Sequence, residues 1–392
     1  MSKVSERTYR LSTRAGLIFW VLALLGGGTL ATGLILEPQR QRTWIDLFLI
    51  SNYLIGLALG GLLLVGLHYL TGARWSLPIK RAEEAMTAVL PVASIGLILV
   101  LVCRPSLYSW SSSASPEVFE PPLQRLWLSR PFFLVRSVIY LALWLIFAAS
   151  IVRNSRRQDR SEDPTPFVKN IRLSALFLVV FGFTFWLASN DWIMSLEPQW
   201  SSTIFGVYNF AGLFLSAIAV LVLLIIWLWR FGPLQSVVNE NHLHDLGTLL
   251  FAFSSFWMYI WFCQYMLIWY TDNPEETTYL LARRRGLWPV FLLVDLVLNW
   301  GIPFVVLLFR SAKRSPLVLG TVACGVLLGR WVDLSLMILP SQGDWLSTPS
   351  LLEVGFILGM IGLFVLVFFW SLSKAPLIPL NESIPLEGRA LT

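Results

Sequence analysis

The sequence predicts an all-α integral membrane protein of ten transmembrane helices, and three observations carry that prediction. Ten hydrophobic stretches of roughly 20 to 27 residues tile the chain from Ala15 to Leu372, and about 20 apolar residues in a helix cross the ~30 Å hydrocarbon core of a bilayer. Only 13% of the 392 residues are charged, against 56% hydrophobic. A soluble domain carries about 25% charged residues, so this chain has too few to cover a soluble surface. The third observation is that alternate connections differ sharply in their content of Lys and Arg.

The expected spans are 15–36, 44–70, 83–103, 131–152, 170–190, 203–229, 245–270, 287–310, 315–339 and 350–372. The first contains Gly26-Gly27-Gly28, read as a packing or flexible segment. It is too long for a signal-peptide core and is followed by Glu-Pro-Gln-Arg, so no cleavable signal is expected. The second carries Gly56-x-x-x-Gly60 and the tenth Gly355-x-x-x-Gly359, spacings that let helix backbones approach where lipid supplies no hydrophobic drive. Pro91, Pro105 and Pro303 should kink or end their helices. The connection 104–130 is rich in Ser and Pro, and 153–169 is a solvated charged loop. Ten tryptophans (Trp44, Trp110, Trp127, Trp192, Trp200, Trp227, Trp229, Trp269, Trp345 and Trp370) fall near span ends, as in interfacial belts.

Sidedness follows from charge. Nineteen Lys and Arg, among them Lys3, Arg7, Arg74, Arg153, Arg156, Arg157, Arg160, Lys374 and Arg389, lie on the side of the termini. Eight (Arg40, Arg42, Arg104, Arg125, Arg130, Arg283, Arg284 and Arg285) lie opposite. The positive-inside bias then puts both termini in the cytoplasm. The net charge of +6 is explained by this asymmetry, and no nucleic acid is expected as a partner.

A weak repeat suggests internal duplication. The segment RPFFLVRSVIYLALW (130–144) resembles WPVFLLVDLVLNW (288–300), with Pro131 and Pro289 158 residues apart. Glu83-Glu84 open the third span much as His244-Asp245 open the seventh. Spans 3–6 and 7–10 are therefore expected to form two four-helix bundles, with spans 1 and 2 peripheral. The corresponding units are 1–82, 83–229, 230–372 and a cytoplasmic tail 373–392.

Several chemistries are excluded. A bis-histidine haem needs two imidazoles at mid-membrane, and the three histidines, His68, His242 and His244, sit at span ends. Cys103, Cys263 and Cys324 show no CxxC or haem-attachment spacing and read as small packing residues. No Walker-type glycine loop is present. No metal site is expected.

Ionisable residues inside apolar spans are what remains, and such charges cost about 2.5 to 3.5 kcal/mol on insertion scales unless paired or wet. One group, Arg136, Asp191, Asp295, Arg330, Asp333 and Glu353 with Asn209 and Asn299, lies away from the termini. The other, His68, Glu83, Glu84, His244 and Asp245, lies toward them. Arg330 and Asp333 share a helical face three residues apart, as do Asp295 and Asn299 four apart. Two functions fit: aqueous half-channels that pass protons, with Asp295 and Asp333 the deepest members, or static salt bridges that hold the bundles in register. Ser254, Ser255, Tyr259, Gln264 and Tyr265 of the seventh span either join the two groups or act as helix–helix glue.

The segments KRAEEAMTAVLP (80–91), SNDWIMSLEPQWSSTIFGVYNFAG (189–212) and HDLGTLLFAFSSFWMYIWFCQYMLIWYTDNPEET (244–277) resemble the second large membrane subunit of bacterial alternative complex III, in the NrfD-like superfamily. The resemblance spans helices 2 to 10. It implies paired four-helix bundles within a quinol:electron-acceptor oxidoreductase of a respiratory or photosynthetic chain. It also implies a paralogous NrfD-like membrane subunit that oxidises quinol, with iron–sulfur clusters and c-type haems held by partner subunits. This chain would itself bind no redox cofactor and would support proton translocation through its buried carboxylates. Two alternatives stay open: a quinone bound and oxidised near Asp191 or Asp295, or a structural scaffold or independent transporter.

Overall fold

The computed structural model describes residues 8–111, 122–160, 163–343 and 351–379. Lys3, Arg7, Arg389, Trp345, part of the 104–130 connection, the start of the tenth expected span and most of the 373–392 tail lie outside the described residues, as do the side chains of Arg40 and Arg74.

Among the described residues, ten helices are long and apolar enough to cross a membrane, which makes this a multi-pass membrane protein. They are α1 Thr13–Ile35, α2 Gln41–Thr71, α3 Lys80–Cys103, α4 Arg130–Gln158, α5 Thr165–Leu196, α6 Phe205–Phe231, α7 Glu240–Thr271, α8 Trp288–Leu307, α9 Pro316–Gln342 and α10 Leu351–Leu372. Local signals set several ends. The side chain of Ser12 accepts from the Ala15 amide to start α1. Asn239 and His242 form a reciprocal capping box at α7. Gly72 closes α2 with φ +62°, a left-handed conformation that suits glycine.

The prolines act as expected. Pro91 follows a 3₁₀ turn at Thr87–Val89 inside α3, and Arg104 ends that helix just before Pro105. Pro303 follows a π-helical segment, Val297–Gly301, in α8. A proline has no N–H to give the carbonyl four residues earlier. Here that carbonyl belongs to Asn299, and Ser254 Oγ of α7 donates to it at 2.6 Å.

The grouping of helices differs from expectation. In its most apolar window α2 is 94% buried and α1 only 11%, so α2 is central and α1 alone of the pair is peripheral. One bundle comprises α2, α3, α4 and α5, the other α6, α7, α8 and α9, and α2 joins them by packing along α6. Helix α10 lies against α1, α2 and α3, outside the second bundle. The first bundle therefore starts one helix earlier than 83, and α3 and α7, like α4 and α8, take matching places in chain order within the two bundles.

Glycines explain why α2 can be surrounded. Gly56 and Gly60 face Leu213 and Ala217 of α6, Gly61 faces Met86 of α3, and Gly66 faces Phe177 of α5. In the α1–α10 pair, a Cβ on Gly26 would meet the backbone of Gly359, and the reverse also holds. Two other expectations need correction. Trp110, Trp192 and Trp200 are buried, and Trp110 and Trp192 donate to Ser195 O and Ser137 Oγ, so these residues belong to the interior and not to an interfacial belt. Cys103 and Cys324 are exposed on the helix surfaces and do not fill the core.

Candidate functional site

Asp295 of α8 and Asp333 of α9 are both fully buried and lie in each other's electrostatic field. Arg330 Nη1 donates to Asp333 Oδ2 at 2.5 Å, and its Nη2 donates to Asn209 Oδ1 of α6, also at 2.5 Å. Tyr208 donates its hydroxyl to Asp333 Oδ1, and Trp257 Nε1 of α7 approaches Oδ2 at 3.4 Å. Asp295 accepts from Asn299 Nδ2 at 2.7 Å, while its Oδ2 and the Oδ1 of Asn299 are buried with no partner among the described residues.

Two glycines make room for this network. A Cβ at Gly212 would overlap the Arg330 guanidinium, and one at Gly329 would stand 2.7 Å from Asn299 Oδ1. A single guanidinium thus serves two buried acids and is committed to Asp333. The bare oxygen of Asp295 is a place for a proton or a water.

A partly enclosed cavity of about 70 Å³ reaches Asp295 between Trp261, Gln264 and Tyr265 of α7 and the Tyr279–Arg283 segment. At about 10–15 Å³ of water-centre space each, it has room for several waters. Arg283, counted from sequence as a loop cation, is buried at its mouth. It donates to Leu336 O at 2.9 Å, Tyr279 O at 2.7 Å and Glu197 Oε1 at 3.1 Å. Its guanidinium lies 3.2 Å from the Tyr279 ring centroid, and that ring stacks on Trp200 at 3.9 Å. Burial pushes the Tyr279 hydroxyl up to about 12. Across Arg330, a void of about 20 Å³ bordered by Asn52, Ser189 and Asn209 fits one water between the bundles.

The remaining sequence candidates fall into separate clusters. Arg136 and Asp191 form a closed bidentate pair, Nε to Oδ2 at 2.9 Å and Nη2 to Oδ1 at 2.8 Å, with Trp127 and Tyr140 donating as well. Glu353 pairs with Arg42 at 2.8 Å and accepts from Trp331 at 3.3 Å, beside the buried Asp46. Sequence reasoning missed Asp46, Tyr208 and Arg283. Asp46 lies only two residues inside the expected start of span 2, and the triplet Arg283-Arg284-Arg285 reads as a solvated run.

On the side of the termini, His68 Nδ1 meets Glu83 Oε2 at 2.8 Å. Arg81 binds Glu84 at 2.6 Å and also Asp159, and Ser155 donates to Glu84 at 2.5 Å. His244 and Asp245 are not brought into this cluster: they face one another at 3.6 Å with substantial exposure. Tyr259 is 62% exposed on the outer face of α7, away from both groups, and Ser255 bonds within its own helix. Of the polar α7 residues, Ser254, Gln264 and Tyr265 belong to the Asp295 site. On α2, Asn52 and His68 are about 24 Å apart at 1.5 Å per residue, and every residue from 54 to 67 between them is apolar or glycine.

The two halves are built differently at corresponding positions. Arg136 and Asp295 are 159 residues apart, matching the proline spacing to within one residue. Each faces an acid on the next helix: Asp191 in the first bundle, where the pair is closed, and Asp333 in the second, where two acids share one cation. No protein-family model and no curated relative matches this chain.

Proposed function

We propose that this chain is an integral subunit of an alternative complex III-type quinol:electron-acceptor oxidoreductase in a bacterial cytoplasmic membrane, with both termini inside. In this reading the Asp295–Asp333 network moves protons. The carrying observation is Asp295 Oδ2, a fully buried carboxylate oxygen without a partner at the end of a hydratable cavity. A structural ion pair closes on itself, as Arg136–Asp191 does. The three segments that carry the resemblance also supply Glu83, Glu84, Tyr208, Asn209, Ser254, Trp257 and Gln264 to the buried polar clusters.

In this mechanism Asp295 exchanges a proton with water in the cavity beneath Arg283. Arg330 is bonded to Asp333 beside it, and a proton passed from Asp295 to Asp333 moves the negative charge onto Asp295, where cavity water receives it. The His68–Glu83 and Glu84 cluster forms the entrance from the opposite side. The apolar layer at 54–67 of α2 keeps the two ends insulated at rest, and turnover must wet it transiently. The paralogous NrfD-like partner, the iron–sulfur clusters and the c-type haems would carry electrons outside this chain.

The test is purification through a tag on this chain, followed by proton-to-electron ratios in proteoliposomes. Asp295→Asn and Asp333→Asn should lower that ratio while much of the quinol-dependent electron transfer survives. An unchanged ratio in both removes the conduction role and leaves a scaffold. A colourless protein without haem-bearing partners removes the complex itself and favours a transporter.

A second reading has one observation in its favour: Asp295 lies beside a cavity with aromatic walls, which would suit a quinol donating to Oδ2. Asp191 offers no such acceptor, because Arg136, Trp127 and Tyr140 occupy both its oxygens. Photolabelling by a quinone analogue at Tyr265 or Tyr279 would support a quinone site here.

A further inference from the structure

Away from the carboxylates, on the side of the termini, α3, α4 and α10 enclose an open cavity of about 770 Å³. Its rim is cationic: Arg153, Arg156, Arg157 and Arg160 from α4 and its end, and Lys374 beyond α10. The four arginines follow i, i+3, i+4, i+7 spacing and so form one stripe. Arg153, Arg157 and Arg160 are exposed and have no ion pair among the described residues. Asp159, the single acid between 153 and 160, is turned to Arg81 instead. Arg156 ties the rim together by donating to Ser371 Oγ at 3.0 Å, yet its Nε is buried without a partner. Lys374 lies 3.1 Å from the centroid of the exposed Trp370 ring.

Above this rim the walls turn apolar. Pro91 and Leu145 border both this cavity and a second one of about 550 Å³, which runs between α3 and α4 as far as Val102 and Cys103. Along α4 the joined apolar walls run from Val152 to Val138, about 21 Å of helix, more than half of a ~30 Å hydrocarbon core. A like-charged stripe at the helix end therefore stands at the foot of an apolar groove that is longer than one leaflet. An acidic peptide would satisfy the cations and leave the groove unfilled, and so would free phosphate. Basic pockets between membrane helices suit anionic lipid headgroups.

We propose that this groove binds an anionic glycerophospholipid. Its phosphate contacts Arg153, Arg157 and Arg160, and its acyl chains lie between α3 and α4. The inference is independent of the proton-path reading.

The test is native mass spectrometry of the delipidated protein, with whatever subunits accompany it, in mild detergent with added cardiolipin or phosphatidylcholine. The wild type should retain cardiolipin in preference to phosphatidylcholine. Combined Arg153→Gln, Arg157→Gln and Arg160→Gln should lower cardiolipin occupancy at least about tenfold, because basic residues at the membrane surface attract anionic headgroups. Arg310→Gln, Lys313→Gln and Arg314→Gln, outside the groove, should leave it unchanged. Ala149→Trp, which fills the groove and keeps every cation, should also displace the lipid. Equal cardiolipin retention in the triple variant and in Ala149→Trp overturns the site, as does displacement of cardiolipin by inorganic phosphate alone. A photo-crosslinker at Val152 should give an adduct of phospholipid mass, and a polypeptide adduct there would show that a protein segment occupies the groove.

Discussion

Arg330 reaches Asp333 three residues along α9, Nη1 to Oδ2 at 2.5 Å, in a site where both residues are buried. Removing one member strands the other charge away from water. Breaking such a pair costs about 3 to 5 kcal/mol, whereas replacing both members by apolar residues of similar volume is often neutral. Asp333→Asn and Arg330→Gln should each lower unfolding stability in detergent by that order, and Arg330→Met with Asp333→Leu should recover much of it. The double variant should still fail in proton transfer, which separates the stability role from the conducting one. If the double variant is no more stable than the singles, the loss lies in the surrounding Tyr208 and Asn209 contacts and not in a stranded charge.

The closed pair in the first bundle leads to the opposite functional expectation. Arg136→Gln leaves Asp191 buried with only the Trp127 and Tyr140 donors, and should destabilise by about 3 to 5 kcal/mol. In protein that still assembles, the proton-to-electron ratio should be unchanged. A lowered ratio would bring Asp191 back as a conducting group.

Gly26 and Gly359 should hold α1 on α10. A Cβ on either would meet the other's backbone, and overpacking of that kind costs about 1 to 3 kcal/mol. Gly359→Leu should lower cysteine crosslinking between Tyr9→Cys and Phe369→Cys, whose native rings lie 5.7 Å apart, several-fold. The second bundle, which α10 does not join, should keep its protease resistance.

Tyr279 gives a pH dependence outside the spans. Burial raises its hydroxyl from 10.0 to about 12, so the folded state binds the proton more tightly than the unfolded state. Its contribution is fully present below about pH 10 and is lost as pH rises toward 12, at about 1.4 kcal/mol for each tenfold difference in proton affinity. Tyr279→Phe should flatten the fall in thermal stability across that window. An equally steep fall in the variant would assign it to other groups.

Exposed candidates should be silent. Tyr259→Phe, His244→Gln and Asp245→Asn alter groups with substantial exposure, where substitutions usually stay within about 0.5 kcal/mol. Turnover and proton ratios should match the wild type, and a marked loss at Tyr259 would show that a partner covers that face.

Much of this molecule is legible in its sequence. Asp295 and Asp333 stand out because a charge inside a long apolar run is expensive and therefore rare, and the π-helical break in α8 is signalled by Pro303. The i, i+3 spacing of Arg330 and Asp333 foretells their contact, since helical periodicity alone brings them together. Cross-helix partners are not legible: nothing in the spacing joins Arg42 to Glu353 across 311 residues, or Arg283 to Glu197.

By itself the sequence determined that ten helices are long and apolar enough to cross a membrane and which few positions carry charge into it, because length and apolarity are set residue by residue. Tertiary structure alone decided that α2 is the centre and α10 a flank. Lipid tails are as apolar as leucine, so hydrophobicity does not distinguish a helix facing lipid from one facing its neighbours. It also decided that Asp191 is closed by Arg136 while Asp295 keeps a bare oxygen. That difference depends on which groups from distant helices arrive within hydrogen-bond reach, and only packing brings them there.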